Sequence, residues 1–155
     1  MEKREISSHE KDIIQNFVDD YQKKFDFFEM ASKLAASMIE NELQKNAIRA
    51  IVTYRAKNPT RLQDKIMNKA LSSETEFNSL QHISEKINDL AGVRVSLYFF
   101  GDMNRAKSII QDCFQINENE IKYFHERIKK TKNLVIVMIS KRDSWVIRRL
   151  ISKLN

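Results

Sequence analysis

The chain has 155 residues, with 27 Lys+Arg against 21 Asp+Glu and a formal net charge of +6, a length that suits one domain with its own core. Hydrophobic residues at 42% and charged residues at 31% exclude both a disordered and a membrane-embedded composition. The longest purely apolar run, Leu134–Ile139, is six residues, against about 18 for a span.

The N-terminal MEKREISSHEKD lacks the apolar stretch of a signal peptide, and the single Cys113 excludes an internal disulfide and a multi-cysteine zinc site. A cytoplasmic location without a membrane partner is the expectation. Only two glycines and one proline occur, where average usage gives roughly 18 of the two together; so few turn residues favour long helices. Residues 1–120 carry 17 basic and 19 acidic side chains, whereas residues 121–155 carry ten basic and two acidic ones. All of the net basicity comes from that last segment, which reads as a basic, divergent tail.

From Ser8 to about Asn46 apolar residues recur at helical spacing. Ile13, Ile14, Phe17, Val18 and Tyr21 form one stripe; Phe27, Phe28, Ala31, Leu34, Ala35, Met38 and Leu43 form another. Two helices, or one bent helix, laid on a sheet are predicted, with the aromatics in the core. Around Ile48 to Arg55 the pattern turns β-branched and then meets Asn58-Pro59, where the residue before proline disfavours helix and a strand can end. Pro59 opens a helix with Leu62, Ile66 and Met67 inward.

A polar linker, SSETEFNSLQH, precedes a short helical stretch, ISEKIND. Next, Val93, Val95, Leu97 and Phe99 alternate with Arg94, Ser96, Tyr98 and Phe100, which is strand periodicity. Asn104 to Phe114 reads as a helix behind that strand. Ile121 to Lys132 reads as a basic helix-like piece, LVIVMI as a buried strand, and Asp143 to Leu154 as an amphipathic helix. The fold class is α/β (α+β), with N-terminal helices packed on a small mixed sheet.

No glycine-rich phosphate loop is possible with two glycines. The three histidines, His9, His82 and His125, are far apart and read as surface residues; Cys113 reads as inert core. What remains is a cationic strand end beside an isolated acid. Arg55 and Lys57, two apart on a strand, project from one face. Lys65 follows on the next helix, Asp89 stands just before the second strand, and Arg94 leaves that strand's polar face. Phosphates suit such cations, guanidinium as a planar fork and ammonium as a point charge. A solvated charged face is the other reading of the same spacing.

The run YRAKNPTRLQDKI, followed by INDLAGVRVSLYFFGD, resembles the RelA/SpoT synthetase domain, a nucleotidyltransferase-like family that makes (p)ppGpp. The family pattern R-x-K-x-P-x-S-[IL]-x-x-K, then D-[LI]-[AV]-G-[IV]-R, is matched by Arg55, Lys57, Pro59, Leu62, Lys65, Asp89, Leu90, Gly92, Val93 and Arg94. The resemblance spans about residues 10–115, within a partial domain at 1–120. It implies that Arg55 and Arg94 stack the ATP adenine and that Lys57 and Lys65 meet the triphosphate. It also implies that Asp89 is catalytic, binding Mg²⁺ and orienting the acceptor. The implied reaction moves the β,γ-pyrophosphate of ATP to the 3′-hydroxyl of GDP or GTP.

The family's serine is Arg61 here, and its later G-Y-[RK]-[SA]-x-H and E-x-Q segments have no counterpart after Gly101. The chain is therefore expected to be truncated or divergent beyond about residue 120, and inactive or impaired as a synthetase. The alternatives are a toxin of the same fold acting on the 3′ end of tRNA, or a non-catalytic remnant that binds ATP or a partner.

Overall fold

The computed structural model describes residues 4–72, 76–87 and 90–114, and the backbone of two further strands at 121–125 and 134–140. Helix α1 (Ser8–Lys23) starts where the Ser7 hydroxyl accepts the Glu10 amide, at 3.2 Å, the usual service of a serine N-cap. It stops at Lys24 (φ −105°, ψ 8°), and α2 (Phe25–Lys45) begins at the next residue. The predicted pair of helices is thus separated by a single non-helical residue. After α2 the chain turns through Ala47 at φ 55°, the left-handed position at a helix end that glycine usually takes.

Strand β1 (Ala50–Ala56) leads to α3 (Pro59–Ser72), then α4 (Leu80–Lys86) and β2 (Ala91–Leu97). A 3₁₀ turn at Phe100–Asp102 precedes α5 (Met103–Phe114), and β3 (Ile121–His125) and β4 (Leu134–Ser140) follow. The strands lie in the order β1-β2-β4-β3. Every described ladder is antiparallel, so among the described strands the sheet is antiparallel rather than mixed, although β1 and β2 are joined through the helices α3 and α4.

Two apolar clusters hold the layers together. In one, Ala35, Ile39 and Leu43 of α2 and Ala106, Ile110 and Phe114 of α5 cover Val93, Val95 and Leu97 of β2. In the other, Ile14, Phe17, Val18 and Tyr21 of α1 meet Leu62 and Ile66 of α3, with Ile83, Ile87 and Leu90. The described helices therefore cover one face of the β1–β2 pair, and among the described residues none covers the other. Alternation on β2 is complete, with Ala91, Val93, Val95 and Leu97 buried and Arg94 exposed.

Several expectations change in detail. Phe99 is 59% exposed, because β2 ends at Leu97 before it. Phe27 is also exposed, at 44%, flanking rather than centring the α2 stripe. Phe77, inside the polar linker, is buried. Cys113 is half-buried, packed against the α2–α5 cluster and lining the groove between those helices. Ile121–His125 is strand, not helix. Its Ile, Tyr and Phe suit a pleated surface, and pairing with β4 satisfies its backbone. The segment expected as a tail thus contributes two strands, β4 lying directly beside β2. Residues 126–132 and the helix expected at 143–154 lie outside the described residues. Among the described residues no helix is long and apolar enough to cross a membrane.

Candidate functional site

The open face of β1–β2 carries the predicted cations, and the register places them. Arg55 is paired with Gly92, and Thr53 with Arg94. Residues directly opposite share a face of the sheet, so Arg55, Gly92, Thr53 and Arg94 all belong to the face turned away from Val93 and Val95. Arg55 and Arg94 are consequently diagonal neighbours, whose Cβ atoms lie roughly 7–8 Å apart in such ladders. Both side chains are exposed. Neither guanidinium makes an ion pair with a described residue.

Lys57 lies one rung beyond the strand end. Its amide donates to the Leu90 carbonyl at 2.8 Å, continuing the β1–β2 register by one residue and keeping Lys57 in step with Arg55. The chain then turns at once into α3. Asn58 Oδ1 accepts the amides of Thr60 (3.0 Å) and Arg61 (3.3 Å), capping donors that the first turn leaves unpaired. The positive end of a 14-residue helix therefore opens beside Lys57, with the exposed Arg61 in its first turn.

Lys65 is exposed on the flank of α3, beside the buried stripe of Leu62, Ile66 and Ala70. It is joined to the cationic rung through the short Lys57–Pro59 connection. Asp89, the predicted catalytic and magnesium-binding residue, lies outside the described residues together with Asn88. Its flanks, Ile87 and Leu90, are both buried.

The register thus places Arg55 and Arg94 on one surface, with Lys57 half-buried two residues beyond Arg55 and Lys65 exposed on the adjoining helix. Sequence reasoning missed the role of Tyr21. Its ring lies in the core as expected, but its hydroxyl approaches both the Lys57 and the Leu90 carbonyls at 2.8 Å. Helical periodicity marks which face is buried, not what a polar tip reaches across 36 or 69 residues.

Among the described residues no three His, Cys, Asp or Glu side chains come together to hold a metal. A dedicated protein cage for a divalent ion is therefore not built from them. One carboxylate combined with ligand phosphates and water is the arrangement magnesium accepts. The groove between α2 and α5, about 600 Å³, lies on the helical side, away from the cationic face. Its charged groups are Glu42, Lys45 and Asp112, and Lys45 is already engaged by Glu42 at 2.7 Å.

A family model described as "Region found in RelA / SpoT proteins" matches residues 54–146, more than half of the chain. The match begins at β1 and runs past β4, well beyond the position near 115 where the motif resemblance ends. No curated protein and no solved structure matches the chain.

Proposed function

The chain belongs to the RelA/SpoT family of (p)ppGpp metabolism, and we propose that its open β1–β2 face is the ATP-binding half of such a synthetase site. Family membership implies nucleotide substrates in general; the donor assignment rests on one observation, the diagonal placement of Arg55 and Arg94 on one exposed face. A planar base held between two guanidinium planes needs about 7 Å between them, twice the ~3.5 Å contact distance. That is the spacing of diagonal cross-strand neighbours, and guanidinium stacks on a π-face where lysine's compact ammonium would not.

From an adenine so held, the triphosphate would run toward Lys57, Lys65 and the capped N-terminus of α3. These groups present positive charge in the direction the phosphates extend. Asp89 would hold Mg²⁺ and orient the acceptor's 3′-hydroxyl; the ion, when bound, would neutralise charge on the phosphates. Transfer of the β,γ-pyrophosphate asks little covalent chemistry of the protein. Positioning and charge neutralisation carry it.

Arg55→Ala or Arg94→Ala is expected to weaken ATP binding about five- to thirty-fold, the worth of one face of a desolvated cation–π stack. Calorimetry on each variant measures this. Unchanged affinity in both would discard the donor site. Asp89→Asn is nearly isosteric and should leave the fold intact while removing the magnesium dependence of ATP binding. Parallel Mg²⁺ titrations check it, and identical curves would make Asp89 a structural residue.

A further inference from the structure

We propose that Tyr21 is a positioning residue of the nucleotide site, its hydroxyl locking the last rung of the β1–β2 ladder so that Lys57 stays in reach of a polyphosphate. The inference rests on the donor-site reading above and adds a residue from outside the family-matched segment, which begins at residue 54.

The geometry is specific. The Tyr21 hydroxyl lies 2.8 Å from the Lys57 carbonyl and 2.8 Å from the Leu90 carbonyl. It carries one hydrogen, which is shared between the two acceptors. Leu90's carbonyl also accepts the Lys57 amide at 2.8 Å. A single phenol thus ties together the two backbone strands at the point where their ladder ends. The ring cannot drift, because Tyr21 is 3% exposed and packs against Phe25 (centroids 6.3 Å) and Phe28 (5.2 Å).

Terminal rungs open most easily, having neighbours on one side only. The Arg55–Gly92 rung lies inside the ladder and is held on both sides; the Lys57–Leu90 rung lies at its end, where the Tyr21 hydroxyl meets both carbonyls. Opening of that rung would release Lys57 from register with Arg55 while leaving the two arginines in place. The hydroxyl should therefore matter for the phosphate chain and not for the base.

Tyr21→Phe tests this, because it removes one oxygen and keeps the ring in its cluster. A cooperative melting curve confirms that the variant folds. Calorimetry then compares ATP with AMP, which shares the adenine but carries a single phosphate. The expected result is a loss of about five- to tenfold in ATP affinity, with AMP affinity unchanged within experimental error. Hydrogen exchange of the Lys57 amide should quicken while that of the amides within β1 does not.

ATP and AMP weakening together would assign Tyr21 to packing alone and overturn the proposal, as would no change in either. If the wild-type chain itself binds ATP no better than AMP, the donor-site reading fails first, and this inference with it.

Discussion

Glu10→Ala is expected to lower the melting temperature by roughly 6–12 °C, corresponding to about 3 kcal/mol in a domain of this size. Glu10 sits in the first turn of α1 with 0% of its side chain exposed. One carboxylate oxygen accepts the Phe77 amide at 2.8 Å, and the other accepts Arg4 Nη2 at 2.7 Å. Nearby, the Ser7 hydroxyl donates to Glu76 at 2.8 Å. The start of α1 is thereby fastened to the segment that leads into α4.

Removing the carboxylate would leave the buried Phe77 amide without its acceptor and Arg4 with only the more distant Glu76 carboxylate, at 3.9 Å, which costs more than the pair itself contributes. The magnitude sits at the low end of the range for buried pairs because Arg4 keeps 27% exposure. Lys45–Glu42 provides the contrast. Its separation is the same 2.7 Å, and the hydrogen bond and charge of Glu42 raise the Lys45 pKa above the usual lysine value. Both partners are solvated, so Lys45→Ala should leave the melting temperature where it was. Equal shifts in the two variants would show that burial does not decide the matter.

What the sequence discloses follows from how local each feature is. The α1 stripe, the α3 stripe and the alternation on β2 are short-range patterns, and Ile14, Phe17, Leu62, Ile66, Val93 and Val95 are all buried as their spacing predicts. The shared face of Arg55 and Arg94 is half-legible. Alternation puts each on the polar side of its own strand, but only the register pairing Arg55 with Gly92 makes them neighbours.

β3 escaped recognition because it is five residues long and owes its backbone pairing to β4, nine positions further on. The Glu10–Phe77 and Tyr21–Leu90 contacts span 67 and 69 residues. No periodicity encodes a polar atom that reaches across such a distance. Phe77 was hidden for the same reason, a single apolar residue in a polar run whose partner set is assembled by other elements.

Incubated with ATP, Mg²⁺ and GDP or GTP, the 155-residue chain is expected to bind ATP and to form (p)ppGpp at least about 10²–10³-fold more slowly than a family member carrying both acceptor motifs. Pyrophosphate transfer needs the acceptor's 3′-oxygen within about 3–3.5 Å of the attacked phosphorus, in line with the bond that breaks. In the proposed site the donor half would fall to Arg55, Lys57, Lys65 and Arg94, on or beside the described elements β1, α3 and β2. The acceptor half is a different matter. By the resemblance, a stacking tyrosine and a second carboxylate hold that oxygen, and residues 101–155 contain neither G-Y-[RK]-[SA]-x-H nor E-x-Q. Strand β4 does pair along the whole length of β2, from Ala91↔Ser140 to Leu97↔Leu134. It occupies a sheet position beside the Arg94 face, but Leu134–Ser140 contains no acidic residue. Each absent positioning or electrostatic element costs about 10²–10³ in rate, so binding and turnover should separate. Thin-layer separation of products after long incubation with γ-labelled ATP and GDP, GTP or tRNA decides it. Label that stays in ATP, with ATP bound, is the expected outcome; clear accumulation of ppGpp or pppGpp would place an acceptor site on residues that carry none of the family's motifs, and labelled tRNA would transfer the activity to an RNA 3′ end.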